Sequence, residues 1–211
     1  MDKLTWFGHA SFMLKDENAR KLLFLDPFEL KAVKEKADII FITHAHYDHW
    51  SLKDIKKIWK EDTKIIATNG CTGNFPNMQV VEPNKEFSIE GIKVKTIPAY
   101  NIKPERLSFH PRKNNWVGYI LTIDDKSIYH AGDTDFIPEM KNLKNIHIAL
   151  LPIGGTYTMD VDEAVQAANI IKAHATIPIH YRRLLGEKYR EAEEKLRKGV
   201  KGNVEILEEI S

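Results

Sequence analysis

The sequence predicts a layered α/β fold that forms one domain over residues 1–211. Three observations carry this. Short runs rich in Val, Ile, Leu and Phe recur along the chain, bounded by Gly, Asn and Asp turn signals, as strands do. The plan occurs twice, each β-rich half closing on amphipathic helical patterns, which suggests two packed sheets with helices outside. At 211 residues and 43% hydrophobic composition, the chain has ample length to bury a core.

Taken in order, residues 4–7, 11–14 and 22–25 read as strands, with turn signals at Gly8 and across the polar stretch 16–20. Residues 38–42 form a short apolar run that predicts a buried strand. Ser51 and Asp54 match a capping box, and Leu52, Ile55, Ile58 and Trp59 recur at helical spacing behind them. A strand is expected at 64–67, then a Gly-, Asn- and Pro-rich loop at 69–77. Residues 87–89 and 92–97 read as a hairpin about Glu90-Gly91. The second half opens with strands at 117–123 and 127–131 around an Asp124-Asp125 turn, then a continuous apolar strand at 148–153. Asp160 and Glu163 make a second capping box, opening a helix whose expected buried face is Val161, Ala164, Val165, Ala168 and Ile171. A strand follows at 176–179. Tyr189, Ala192 and Leu196 mark a last helix ending near Gly199, before a final short strand at 204–207.

Composition excludes several classes. The 31 basic and 30 acidic residues nearly cancel, so a nucleic-acid-coating role gets no support from net charge. Cys71 is the single cysteine, which excludes an intrachain disulfide and a thiolate zinc site. No apolar run approaches the ~18 residues of a membrane span, and the first residues lack signal-peptide architecture. The expectation is a cytoplasmic protein with no membrane partner.

Chemistry concentrates in Thr43-His44-Ala45-His46-Tyr47-Asp48-His49. Three imidazoles and a carboxylate fall within one strand-to-helix turn. Neither an amphipathic helix nor a strand needs that pattern, whereas a metal site does, and zinc, iron and manganese all suit these ligands. Four such residues do not close two coordination spheres. Asp133, after the strand ending His130-Ala131-Gly132, is the best further candidate, since a carboxylate can bridge two cations. His180, where the strand 176–179 runs out, is the next.

His44-x-His46-x-Asp48-His49, then Gly132-Asp133-Thr134, then Ile179-His180 resemble the metallo-β-lactamase superfamily. The segments Trp6-Phe7-Gly8-His9-Ala10-Ser11-Phe12 and Pro152-Ile153-Gly154-Gly155-Thr156-Tyr157-Thr158 are similar to a branch that includes ascorbate-6-phosphate lactonase-like proteins. The resemblance implies a four-layer αββα sandwich of two mixed sheets. It implies that His44 and His46 bind a first metal, Asp48, His49 and His180 a second, and that Asp133 bridges. The remaining ligand of the first metal is usually a histidine where this chain has Asn101. His110, a few residues on, is the favoured substitute, because imidazole suits zinc far better than an amide.

The implied function is metal-dependent hydrolysis, with two zinc ions and a metal-bridging hydroxide acting on a small ester, lactone or phosphoester. Asp48 and His9 are the expected catalytic residues, and Tyr157 and His130 further partners of the site. Lys103, Arg106, Arg112, Lys113, Arg182 and Arg183 suggest a basic mouth for an anionic small-molecule substrate. The alternatives are a phosphodiesterase or nuclease, a role whose superfamily members generally carry added arms and for which a net charge of +1 gives no strong positive attraction, and a non-catalytic metal-binding protein. Oligomeric state is not legible.

Overall fold

The computed structural model describes residues 3–16, 21–31 and 33–210; part of the turn expected at 16–20 lies outside them. The chain divides into two compact units, Met1–Glu82 with Glu208–Ser211, and Pro83–Leu207.

The first unit is built on a six-stranded sheet in simple sequence order: β1 (Lys3–Trp6), β2 (Phe12–Asp16), β3 (Lys21–Leu25), β4 (Ile39–Phe41), β5 (Lys64–Thr68) and β6 (Met78–Val81). The first three strands pair antiparallel and the rest parallel. β1, β3, β4 and β5 therefore all point the same way, and the residues just beyond their ends share one edge. Helix α1 (Leu52–Ile58) buries Ile55 and Ile58 with Phe24, Ile40, Ile42, Trp50 and Ile65. Leu52, expected on the same face, is 40% exposed. The Ser51 cap is only half a capping box. Its Oγ accepts from the Asp54 N–H, but the Asp54 carboxylate accepts instead from the backbone N–H groups of Glu29 and Leu30 and from Lys57. The loop ahead of α1 thereby competes with the cap for the same acid. β6 was not expected; its exposed Gln79 and Val80 reflect an edge position that weakens the alternating signal.

The second unit carries a seven-stranded sheet ordered β13-β12-β11-β10-β9-β8-β7. Its strands are β7 (Glu86–Ile89), β8 (Ile92–Pro98), β9 (Val117–Ile123), β10 (Lys126–His130), β11 (Ile148–Pro152), β12 (Ala175–Ile179) and β13 (Asn203–Val204). β7 to β10 pair antiparallel and β10 to β13 parallel. β8, β10, β11 and β12 thus share a direction and present their C-terminal ends at one edge. Helix α2 (Val161–Ile171) has the expected capping box, Asp160 with Glu163, and packs on β11 and α4 (Tyr189–Gly199). Its buried face is Ala164, Ala167, Ala168 and Ile171. Val161 and Val165 sit at the margin, where Val165 packs on Gly199. A short helix α3 (Arg182–Leu185) follows His180. The last strand is two residues long rather than spanning 204–207, since after Val204 only the Glu205 N–H continues the ladder, onto Thr176 O. No helix among the described residues is long and apolar enough to cross a membrane.

Candidate metal centre

In the first unit, every residue of interest lies just past the C-terminal end of a strand. His9 follows β1, Asp26 follows β3, and residues 43–49 follow β4. The Asp26 N–H bonds Phe41 O, which locks the ends of β3 and β4 together. Asp26 is fully buried. Its Oδ1 accepts the Thr43 N–H at 2.8 Å, and its Oδ2 accepts the Thr43 hydroxyl at 2.6 Å and lies 2.7 Å from His49 Nδ1. A carboxylate only accepts, so His49 carries its proton on Nδ1 and presents the Nε2 lone pair on its other side. The Thr43 hydroxyl donates its one hydrogen to Asp26. It therefore accepts from His44 Nδ1, 3.0 Å away, and His44 too presents Nε2 as a lone pair. That nitrogen lies 3.1 Å from His46 Nδ1. His9 Nε2 lies 3.1 Å from Asp48 Oδ2, and one ligand atom each of His9, Asp48 and His49 lie within 4.8 Å of one another. His9 and Asp26 hold φ of 51° and 42°, a left-handed backbone that non-glycine residues seldom adopt away from functional turns.

In the second unit, Asn101 follows β8, Asp133 follows β10 and His180 follows β12. Asp133 is 4% exposed, and its Oδ2 lies 3.0 Å from His180 Nε2 and 3.3 Å from His110 Nε2. His180 has φ 55°. Gly154 makes its approach workable, because a Cβ there would strike the His180 carbonyl and Leu184. Asn101 has its amide nitrogen on Asp135 Oδ1 and Tyr157 O, each at 3.0 Å, and its oxygen on His110. Of the two alternatives for this position, the imidazole of His110 is the group turned to Asp133.

The donor set fits a divalent cation. His110 Nε2 and His180 Nε2 converge on Asp133 Oδ2 at 3.3 and 3.0 Å, and His44 Nε2 faces His46 Nδ1 at 3.1 Å, a convergence of imidazole and carboxylate atoms that a cation can join. Carboxylate-backed histidines such as His49 on Asp26 are the usual arrangement behind metal ligands.

The family described as the beta-lactamase superfamily domain matches residues 3–180. The chain belongs to the metallo-β-lactamase superfamily. A metal-dependent hydrolase of Thermoplasma volcanium is 35% identical over 195 residues, covering 85% of this chain and 83% of that protein. A solved structure from Parabacteroides distasonis, assigned as a metal-dependent hydrolase, is 38% identical at a TM-score of 0.85 and covers 99% of this chain and 93% of that one. A Thermotoga maritima structure, assigned as a zinc-dependent hydrolase of the same superfamily, is 25% identical at a TM-score of 0.58, covering 84% and 75%. The expected fold class, two mixed sheets flanked by helices, is that of these metallo-β-lactamase relatives.

Asp26 was missed by sequence reasoning. It stands at a strand end in Leu23-Phe24-Leu25-Asp26, the same signal that singled out Asp133, and that rule applied throughout would have found it. His130 accepts the Gly132 N–H on Nδ1, so it shapes the turn ahead of Asp133. Tyr157 offers its carbonyl to Asn101 and its ring to Phe109. The basic mouth is largely neutralised. Arg106 is buried against Asp135 and Glu163, Lys103 pairs with Glu163 and Asp160, Arg112 with Glu139, and Arg182 with Glu193. Burial opposes the charge of Arg106, but its hydrogen bonds to Asp135 and Glu163 outweigh this and raise its pKa.

Proposed function

We propose that the chain hydrolyses a small ester, lactone or phosphoester with two divalent metal ions, zinc foremost, held by His44, His46, Asp48, His49, His110, Asp133 and His180. The chain is a metal-dependent hydrolase by superfamily membership and by relatives so described. Support for the dinuclear reading comes from buried His44, His49 and His110, whose Nδ1 sides meet a hydroxyl, a carboxylate and an amide oxygen, leaving Nε2 as the ligating atom. Zinc is supported by this imidazole-rich donor set and by the description of the Thermotoga maritima relative.

Two bound divalent ions would supply Lewis acidity and a water of lowered pKa. The chain's own part is to hold and move protons. Asp26 keeps His44 and His49 in the ligating tautomer. His9, 3.1 Å from Asp48, restrains that carboxylate, and in this reading it passes a proton to a leaving oxygen. The neutralised cations around residues 103–112 leave attraction of an anionic substrate mainly to the metals.

Full-length chain, purified without chelator and re-equilibrated with zinc, should hold close to two metals by mass spectrometry. It should turn over members of a panel of lactones, phosphomonoesters and phosphodiesters. One metal or fewer removes the dinuclear reading. Two metals with no turnover on the panel favour a non-catalytic metal-binding protein.

A further inference from the structure

We infer that Asn101 is a positioning residue that fixes the tautomer of His110, and that the buried chain Glu163–Arg106–Asp135 fixes Asn101. The inference rests on the metal-binding reading for its purpose, though not for its geometry.

Asp135 is fully buried and its carboxylate accepts four times. Oδ1 takes Arg106 Nη1 at 2.8 Å and Asn101 Nδ2 at 3.0 Å, and Oδ2 takes the N–H groups of Ile102 and Lys103 at 2.8 and 2.9 Å. Arg106 in turn is anchored at 2.7 Å by Glu163, whose carboxylate also closes the capping box of α2 on the Asp160 N–H. A second acceptor, Tyr157 O, faces the same end of the Asn101 amide. Two acceptors on one side demand that the NH₂ group points there, so the amide cannot flip. Oδ1 must then face His110. It accepts the His110 backbone N–H at 3.0 Å and lies 2.9 Å from Nδ1. An oxygen with no proton to give requires the proton on Nδ1. In the neutral ring the remaining nitrogen, Nε2, is then the lone-pair atom, and it lies 3.3 Å from Asp133 Oδ2.

Four side chains on three segments thus transmit one piece of information, the side of the ring that carries the proton. The loop from 99 to 116 is closed on itself for this purpose: the Asn101 N–H bonds His110 O and the Ala99 N–H bonds Trp116 O. With amide at 101 and imidazole at 110, the chain uses the residue at the strand end to aim a ligand from the loop rather than to serve as one.

The test is nitrogen NMR on histidine-labelled full-length protein, both zinc-loaded and metal-depleted, near pH 8. His110 should show a protonated Nδ1 in both samples, with Nε2 shifting on zinc addition. A protonated Nε2 with bare Nδ1 in either sample overturns the inference without any mutation. Retained Nδ1–H with no zinc-dependent shift would instead sink the metal role of His110 and leave the positioning by Asn101 standing. Asn101→Ala should mix the two tautomers and weaken zinc binding about 10- to 100-fold. An unmixed Nδ1–H tautomer in a folded Asn101→Ala protein also overturns it.

Discussion

Asp26 shows how much a single buried carboxylate can organise. It accepts from Thr43 twice and from His49 once, and through the Thr43 hydroxyl it also sets the ring of His44. Asn in its place keeps one acceptor and turns a donor toward the Thr43 hydroxyl and His49 Nδ1, which reverses those bonds and releases the ring tautomers they set. Asp26→Asn should therefore lower zinc affinity about 10- to 100-fold, by the usual cost of losing a partner behind a ligand. Competition with a chelating dye measures this, and unaltered affinity would show that Asp26 is structural only. Cys71 is the converse case. Burial pushes its thiol up to about 11, so almost no thiolate exists at neutral pH. The native protein should resist a thiol-modifying disulfide reagent and react only after denaturation. Rapid native labelling would mean that residue 71 is more open than its 6% exposure implies.

At the scale of elements, α1 is short, and its seven residues would not hold as an isolated helix. Packing of Ile55 and Ile58 supplies most of its stability, and Asp54 ties it to the chain ahead. Burial alone would raise the Asp54 pKa, but the hydrogen bonds from Lys57 and Ser51 more than offset this and hold it below the ordinary aspartate value. A carboxylate depressed on folding contributes stability above its unfolded pKa, and that stability is lost as pH falls through the folded value. The native state should weaken below about pH 4, and Asp54→Asn should flatten that part of the pH profile. Asp54→Ala should cost about 1–3 kcal/mol in chemical denaturation at pH 7, since it strands the Glu29 and Leu30 N–H groups. A cost near zero would mean that water replaces the carboxylate. The strand ends make the same point for chemistry. Parallel pairing of β10 with β11 and β11 with β12 is what brings Asp133 and His180 to one edge of their sheet.

For the whole molecule, metal that binds the native chain alone must stabilise it. At a free metal concentration a hundred times Kd, the gain is about 2.7 kcal/mol per site. For a chain of this length that corresponds to a rise in Tm on the order of 5–10 °C, reversed by chelator. A Tm insensitive to both zinc and chelator would contradict the proposed centre.

Elements were legible wherever periodicity and punctuation agreed. The limits of β9 and α4, and the capping box of α2, were read from local pattern because a hairpin turn, a Gly and a Ser/Asp cap act within a few residues. β6 escaped because an edge strand has little burial to impose alternation. The metal motif was legible for the same local reason, since His44 to His49 lie in one turn. What the sequence by itself determined, then, was the family, the two-sheet plan and the identity of the candidate ligands, all written in short-range spacing. Tertiary structure decided the rest. Asp26 reaches His49 across 23 residues and Arg106 reaches Glu163 across 57. The proton on a histidine is set by whichever acceptor lies across the ring, and folding, not spacing, chooses that neighbour.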